Sequence, residues 1–164
     1  MFTSKSDCPV PFDQQPLNEY LALKKSFLFS FSMSTNSFFL FAVSCLFVLL
    51  SVFFSFLLAI FTEISNFGEF LLLDIVLSNI IIFVLFIRLY LGWSYIVKRL
   101  MSATIFYEES GWYDGQVWIK TSDYLIQDRL IGIYQVMPFI LRIKYYCLSI
   151  ICNLIIIFLF ACIF

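Results

Sequence analysis

Along this chain the hydrophobic positions gather into long unbroken blocks, without the short alternations of a soluble domain. Residues 26–62 form a run of 37 with no charged side chain. A helix of that length would rise about 55 Å, against about 30 Å of bilayer hydrocarbon. Only part of it spans. Positions 27–37 are interrupted by Ser30, Ser32, Ser34, Thr35 and Asn36, whereas 38–61 is mostly Phe, Leu and Val. The first transmembrane helix is therefore placed at 38–61, behind an N-terminal arm, 1–37, with an interfacial helix. A second block, 71–93, has Asp74 near its start and Arg88 near its end, where Tyr90, Trp93 and Tyr95 form an aromatic belt. A third, 145–164, carries no charge. The expected fold is a mainly α-helical membrane protein with three transmembrane helices. Its two connections are a short one, 62–70, and a larger polar one, 98–144.

Charge sets an expected orientation. Lys5, Lys24 and Lys25 precede the first span, and Lys98, Arg99, Lys120, Arg129, Arg142 and Lys144 lie in the long connection. The short connection has Glu63 and Glu69, with Asp74 just beyond, and no base. Arg88 snorkels to the basic side. The positive-inside rule then puts the N-terminus inside and the C-terminus outside.

Two polar segments remain. In the arm, Pro9, Pro11 and Pro16 favour extended or turn conformations, and Pro16 suits the first position of a helix continuing through Leu17, Leu21 and Leu28. Those leucines either lie along the bilayer or belong to a solvated lead-in. In the long connection, 104–107 and 116–120 are rich in β-branched and aromatic residues. A short β-hairpin is predicted, with Asp114-Gly115 as its tight turn. Thr121 or Ser122 then caps a helix to about Met137, ahead of Pro138. Asp128, Gly132 and Gln135 share one face of it, and Leu125, Ile126, Leu130, Ile133 and Val136 cover much of the rest. A hairpin alone cannot bury so much apolar surface, so the membrane or a partner must cover it.

Composition agrees and narrows function. Among 164 residues, 62 % are hydrophobic and 13 % charged, with mean hydropathy +0.97, whereas soluble domains run at about 45–50 % apolar and about 25 % charged. With no histidine, the chain has no His acid–base pair and no His-ligated zinc or haem. A net charge of −1 gives no sign of nucleic-acid binding. Phe occurs 22 times against 5 Gly, the bias of AT-rich codons and an organelle genome. The N-terminal residues have neither a signal-peptide core nor a transit-peptide character, as expected for a protein made inside the organelle.

Three stretches, CPVPFDQQPLNEY at 8–20, YEESGWYDGQVWIK at 107–120 and DRL at 128–130, resemble a family of small membrane proteins of cyanobacteria and chloroplasts known as hypothetical chloroplast reading frame thirty-six. The resemblance implies a plastid-encoded protein of a photosynthetic membrane, expected to be the thylakoid; combined with the charge pattern, the N-terminus is then stromal and the C-terminus lumenal. It supplies no reaction.

Candidate chemistry is sparse. Glu108, Glu109 and Asp114 lie within seven residues beside Tyr107, Trp112 and Tyr113. Such carboxylates hold a divalent cation or divide acid and base roles, but no calcium-loop or nucleotide motif accompanies them. A docking or salt-bridge role is the plainer expectation. The five cysteines form no CxxC pair, and Cys8 alone lies in a polar region, as an ordinary thiol. Asn79 and Asn153, deepest in their spans, are expected to meet in an interhelical hydrogen bond. The preferred function is a non-enzymatic accessory or assembly factor without cofactor, docking a complex of the photosynthetic apparatus through Tyr107, Glu108, Trp112, Tyr113, Asp114 and Trp118. The alternative is a membrane enzyme acting on a pigment or quinone through interfacial carboxylates.

Overall fold

The computed structural model describes residues 8–61, 66–108 and 115–163. The chain is mainly helical, and three stretches are long and apolar enough to cross a membrane: Asn36–Phe61, Phe67–Met101 and Ser122–Ala161. In order, the elements are α1 (Pro16–Lys25), α2 (Phe27–Ser32), α3 (Asn36–Phe61), α4 (Phe67–Met101), β1 (Thr104–Glu108), β2 (Gly115–Ile119), α5 (Ser122–Ile131) and α6 (Met137–Ile163). They fall into two compact units, Met1–Ser30 with Gly92–Ile140, and Phe31–Leu91 with Leu141–Phe164.

The unit made of Phe31–Leu91 and Leu141–Phe164 centres on Phe39, which is fully buried. Its ring lies 5.2 Å from Phe31, 5.9 Å from Phe86 and 5.2 Å from Tyr146. Over the same ring sits the Arg142 guanidinium, 4.8 Å from the centroid. Arg142 donates to the Ser32 carbonyl, to the Ser34 carbonyl at 2.9 Å and to Asn36 Oδ1 at 2.6 Å. The end of α2 and the start of α3 are thus held by one side chain. A helix end leaves carbonyls without intrahelical partners, and the guanidinium's planar set of donors meets several of them at once.

Polar groups inside this unit are arranged differently from the expected asparagine pair. Asn79 is buried and donates to the Ile75 carbonyl of its own helix at 2.9 Å, while Asn153 is exposed on α6. A side-chain amide satisfied one turn back on its own helix has no need of a partner across the bundle. The polar link between α3 and α4 is made instead by Ser51, whose hydroxyl donates to the buried carboxylate of Asp74.

Three boundaries differ from those read along the sequence. α1 ends at Lys25, because Ser26 takes an extended conformation and its hydroxyl bonds back to the Leu23 carbonyl. Leu28 therefore belongs to α2, so Leu17, Leu21 and Leu28 form no single helical face. The hairpin pairs Glu108 with Gly115 and Tyr107 with Gln116. Gly115 is thus a strand residue, and the connection is 109–114 rather than a two-residue Asp114-Gly115 turn. Finally, helix continues past Pro138. A π-helical turn, Gly132–Val136, precedes it, with the Met137 N–H bonded to the Gly132 carbonyl. That five-residue spacing realigns the backbone just where proline's missing N–H would interrupt an α-helix.

Candidate docking surface

The unit made of Met1–Ser30 and Gly92–Ile140 holds the described parts of all three polar stretches singled out above. Strand alternation sends Ile105 and Tyr107 to one face of the hairpin. There they form a buried cluster with Val10 of the arm, joined by Cys8 and Trp118. The arm is locked to the strand edge by a single amide. Gln14 donates from Nε2 to the Glu108 carbonyl at 2.9 Å and accepts the Glu108 N–H at Oε1, also 2.9 Å. A side-chain amide has one donor side and one acceptor side, so it mimics the next strand and closes an open edge.

Two cations secure the base of the hairpin. The ammonium of Lys120 is fully buried. It donates to the Arg99 carbonyl at 3.0 Å, the Leu100 carbonyl at 3.1 Å and Asp128 Oδ2 at 2.6 Å. All three donors are used. Two of them satisfy carbonyls at the end of α4, which lack intrahelical partners. Arg99 pairs with Glu19 at 3.0 Å and donates to the Gln14 carbonyl at 2.9 Å and Tyr95 Oη at 2.8 Å. Burial pushes the Glu19 carboxyl above its usual range, and the opposing pull of Arg99 is smaller. Trp93, expected in an aromatic belt, is instead fully buried against Tyr20, Phe29 and Phe139.

The residues expected to dock divide sharply. Tyr107 is buried and its hydroxyl donates to Gln116 Oε1 at 2.8 Å. Trp118 is half-buried, its ring 5.8 Å from that of Tyr124. Both face the arm and serve the core, so neither is an exposed anchor. Glu108 is exposed, with its backbone engaged by Gln14. Trp112, Tyr113 and Asp114, with Glu109, lie outside the described residues. Among the described residues no group of three metal-ligating side chains comes together.

The apolar surface expected on the helix after the hairpin is present, but its membership differs: Tyr134 joins it and Val136 turns inward. Asp128, Gly132 and Val136 are buried. Asp128 meets Lys120, a Cβ at Gly132 would touch Leu100 and Met101, and Gln135 accepts from Tyr20 Oη at 3.1 Å. The face with the polar residues is the inner one. Ile126, Leu130, Ile133 and Tyr134 are left exposed, spaced i, i+4, i+7 and i+8 along one side of the helix. The hairpin does the same, exposing Phe106, Val117 and Ile119 on its outer face. A soluble domain turns these faces the other way. Part of the signal was in the sequence: α5 offers Asp123 and Asp128 to Lys120, and pairing with Asp128 turns the stripe it shares with Gly132 inward.

Comparison with known proteins gives the chain its relatives. It is 46 % identical over 144 residues to a Porphyra purpurea protein called uncharacterized protein ycf36, covering 85 % of each chain. It is 47 % identical over 142 residues to the protein of that name from Cyanophora paradoxa, covering 84 % of this chain and 87 % of that one. An Arabidopsis thaliana protein, conserved in the green lineage and diatoms 27, chloroplastic, is 38 % identical over 146 residues, 85 % of this chain and 43 % of its own. No solved structure matches. The family model described as CGLD27-like, conserved in the green lineage and diatoms 27, matches residues 8–149, and the chain belongs to that family.

Proposed function

We propose that this protein is a non-enzymatic accessory or assembly factor that docks a membrane complex of the photosynthetic apparatus from the stromal side of the thylakoid. The observation that carries this is the outward apolar stripe of α5 and the π-helical turn that follows it, Ile126, Leu130, Ile133 and Tyr134. Contiguous exposed apolar surface of this kind marks an interaction site. Its rigid presentation favours docking, because the inner face of α5 is pinned by Lys120–Asp128 and Tyr20–Gln135. The chemistry of the unit points the same way. Lys120, Asp128, Arg99 and Glu19 are consumed in holding it together, so acid–base work on a pigment or quinone would fall to Glu108, Glu109 and Asp114, of which Glu108 alone is among the described residues. The plastid relatives and the basic residues flanking the apolar stretches support the proposed location. Mild-detergent solubilisation of native membranes tests the reading. A stoichiometric complex is expected, and an intact monomer carrying a bound pigment or metal would replace docking with the enzyme reading.

A further inference from the structure

Where α4 ends and β1 begins, a cleft of about 420 Å³ is lined by Tyr95, Lys98, Arg99, Ser102, Thr104 and Phe106, with Ile105 at its base. Its charge is uneven. Arg99 is committed to Glu19, Gln14 and Tyr95, whereas Lys98 is exposed and makes no ion pair among the described residues. Among the described residues the lining contains no carboxylate.

The position of the cleft along α4 matters as much as its charge. The span expected from the sequence ends at about Trp93, and Lys98 lies five residues on, roughly 7 Å further along the axis. The polar layer on each side of the hydrocarbon is roughly 5–8 Å thick. Lys98 therefore stands at headgroup level. Phe106, 71 % exposed, and Tyr95, 54 % exposed, flank it. Val117 lies directly across the strand pair from Phe106, and Ile119 is next on that face. Aromatic and basic side chains at this level are what membrane–water interfaces select.

We infer that this cleft binds a lipid headgroup carrying one phosphate or sulfonate negative charge, with Lys98 as the principal contact and Phe106, Val117 and Ile119 resting on the acyl boundary. A bilayer lipid is the occupant because the cleft lies at the end of a helix long and apolar enough to span a membrane, and its aromatic rim is exposed. This site is separate from the α5 stripe and stands or falls independently of the docking proposal.

The test is native mass spectrometry of the full chain released from mixed micelles of phosphatidylglycerol and phosphatidylcholine. The wild type is expected to retain phosphatidylglycerol preferentially. Lys98→Gln should reduce that preference about fivefold, the effect of one basic side chain at an anionic surface. Lys24→Gln, on α1 outside the cleft, should leave it unchanged. Because the Lys98 side chain is exposed and makes no ion pair among the described residues, its loss does not threaten the fold. Equal retention in wild type and Lys98→Gln overturns the site, as does an equal loss in Lys24→Gln, which would mean a diffuse charge effect. Full displacement by soluble inorganic phosphate would make it a free-anion site and overturn the lipid assignment.

Discussion

Lys120 and Asp128 form an ion pair of 2.6 Å in which the lysine side chain is fully buried and the aspartate nearly so. Removing one partner of a buried pair strands the other charge, at a cost of about 3–5 kcal/mol, while replacing both with apolar residues is often neutral. Lys120→Met is therefore expected to loosen the hairpin strongly. Lys120→Met combined with Asp128→Leu should recover much of the loss, though not the two carbonyl bonds at the end of α4. Limited proteolysis of the three proteins in detergent checks the order. Double-mutant sensitivity at or above that of Lys120→Met would deny the pairing its role.

Three glycines separate sharply in expected response. A Cβ at Gly92 would overlap the ring of Phe29, itself buried against Trp93. Gly92→Ala should destabilise by about 1–3 kcal/mol of overpacking. A Cβ at Gly132 meets Leu100 and Met101 at ordinary contact distance, so Gly132→Ala should gain up to about 1 kcal/mol of helix propensity. Gly115 sits in a strand with open space beside it, and Gly115→Val should be tolerated. Thermal melts in detergent rank them, and a severe loss for Gly115→Val would restore the tight-turn assignment.

Arg142 holds Ser32, Ser34 and Asn36 together. A lysine ammonium carries charge without the planar fork. Arg142→Lys should therefore behave more like Arg142→Gln than like wild type, with faster proteolysis near residues 33–35. Wild-type resistance in the lysine variant would reduce the contact to simple charge.

Glu19 supplies a pH dependence. Its folded carboxyl binds a proton more readily than the usual value of 4.5, so the folded state holds more protons than the unfolded state above that pH. Its contribution to stability is present below the usual value and is lost as pH rises through the raised one. The melting temperature should fall across that window in wild type, and the slope should flatten in Glu19→Gln. Identical slopes would assign the titration elsewhere.

The apolar blocks, Pro16 at a helix start and both strands were legible because each depends on local composition and period. Facing was harder. The partners that set it are distant: Gln14 meets Glu108, Tyr20 meets Gln135, and Arg142 meets Ser34. Period-two alternation alone pairs Ile105 with Tyr107 and opposes them to Phe106, yet nothing local says which face turns inward. The choice is made by Val10 and Cys8 of the arm. The same holds for α5, where a polar face would conventionally be solvated but Lys120 draws it inside.

The most direct measurement of the docking claim compares the α5 stripe with a nearby charge in native membranes. Leu130 and Tyr134 are exposed, so Leu130→Ala with Tyr134→Ala should preserve folding and accumulation. Loss of hot-spot side chains costs about 2 kcal/mol or more, roughly thirtyfold in affinity, and co-purification with the complex should collapse. Glu108→Gln removes an exposed charge worth roughly 0–1 kcal/mol and should leave association and complementation of a null strain largely intact. Wild-type co-purification by the double variant would contradict the account, as would a Glu108→Gln protein that accumulates and associates yet behaves as a null.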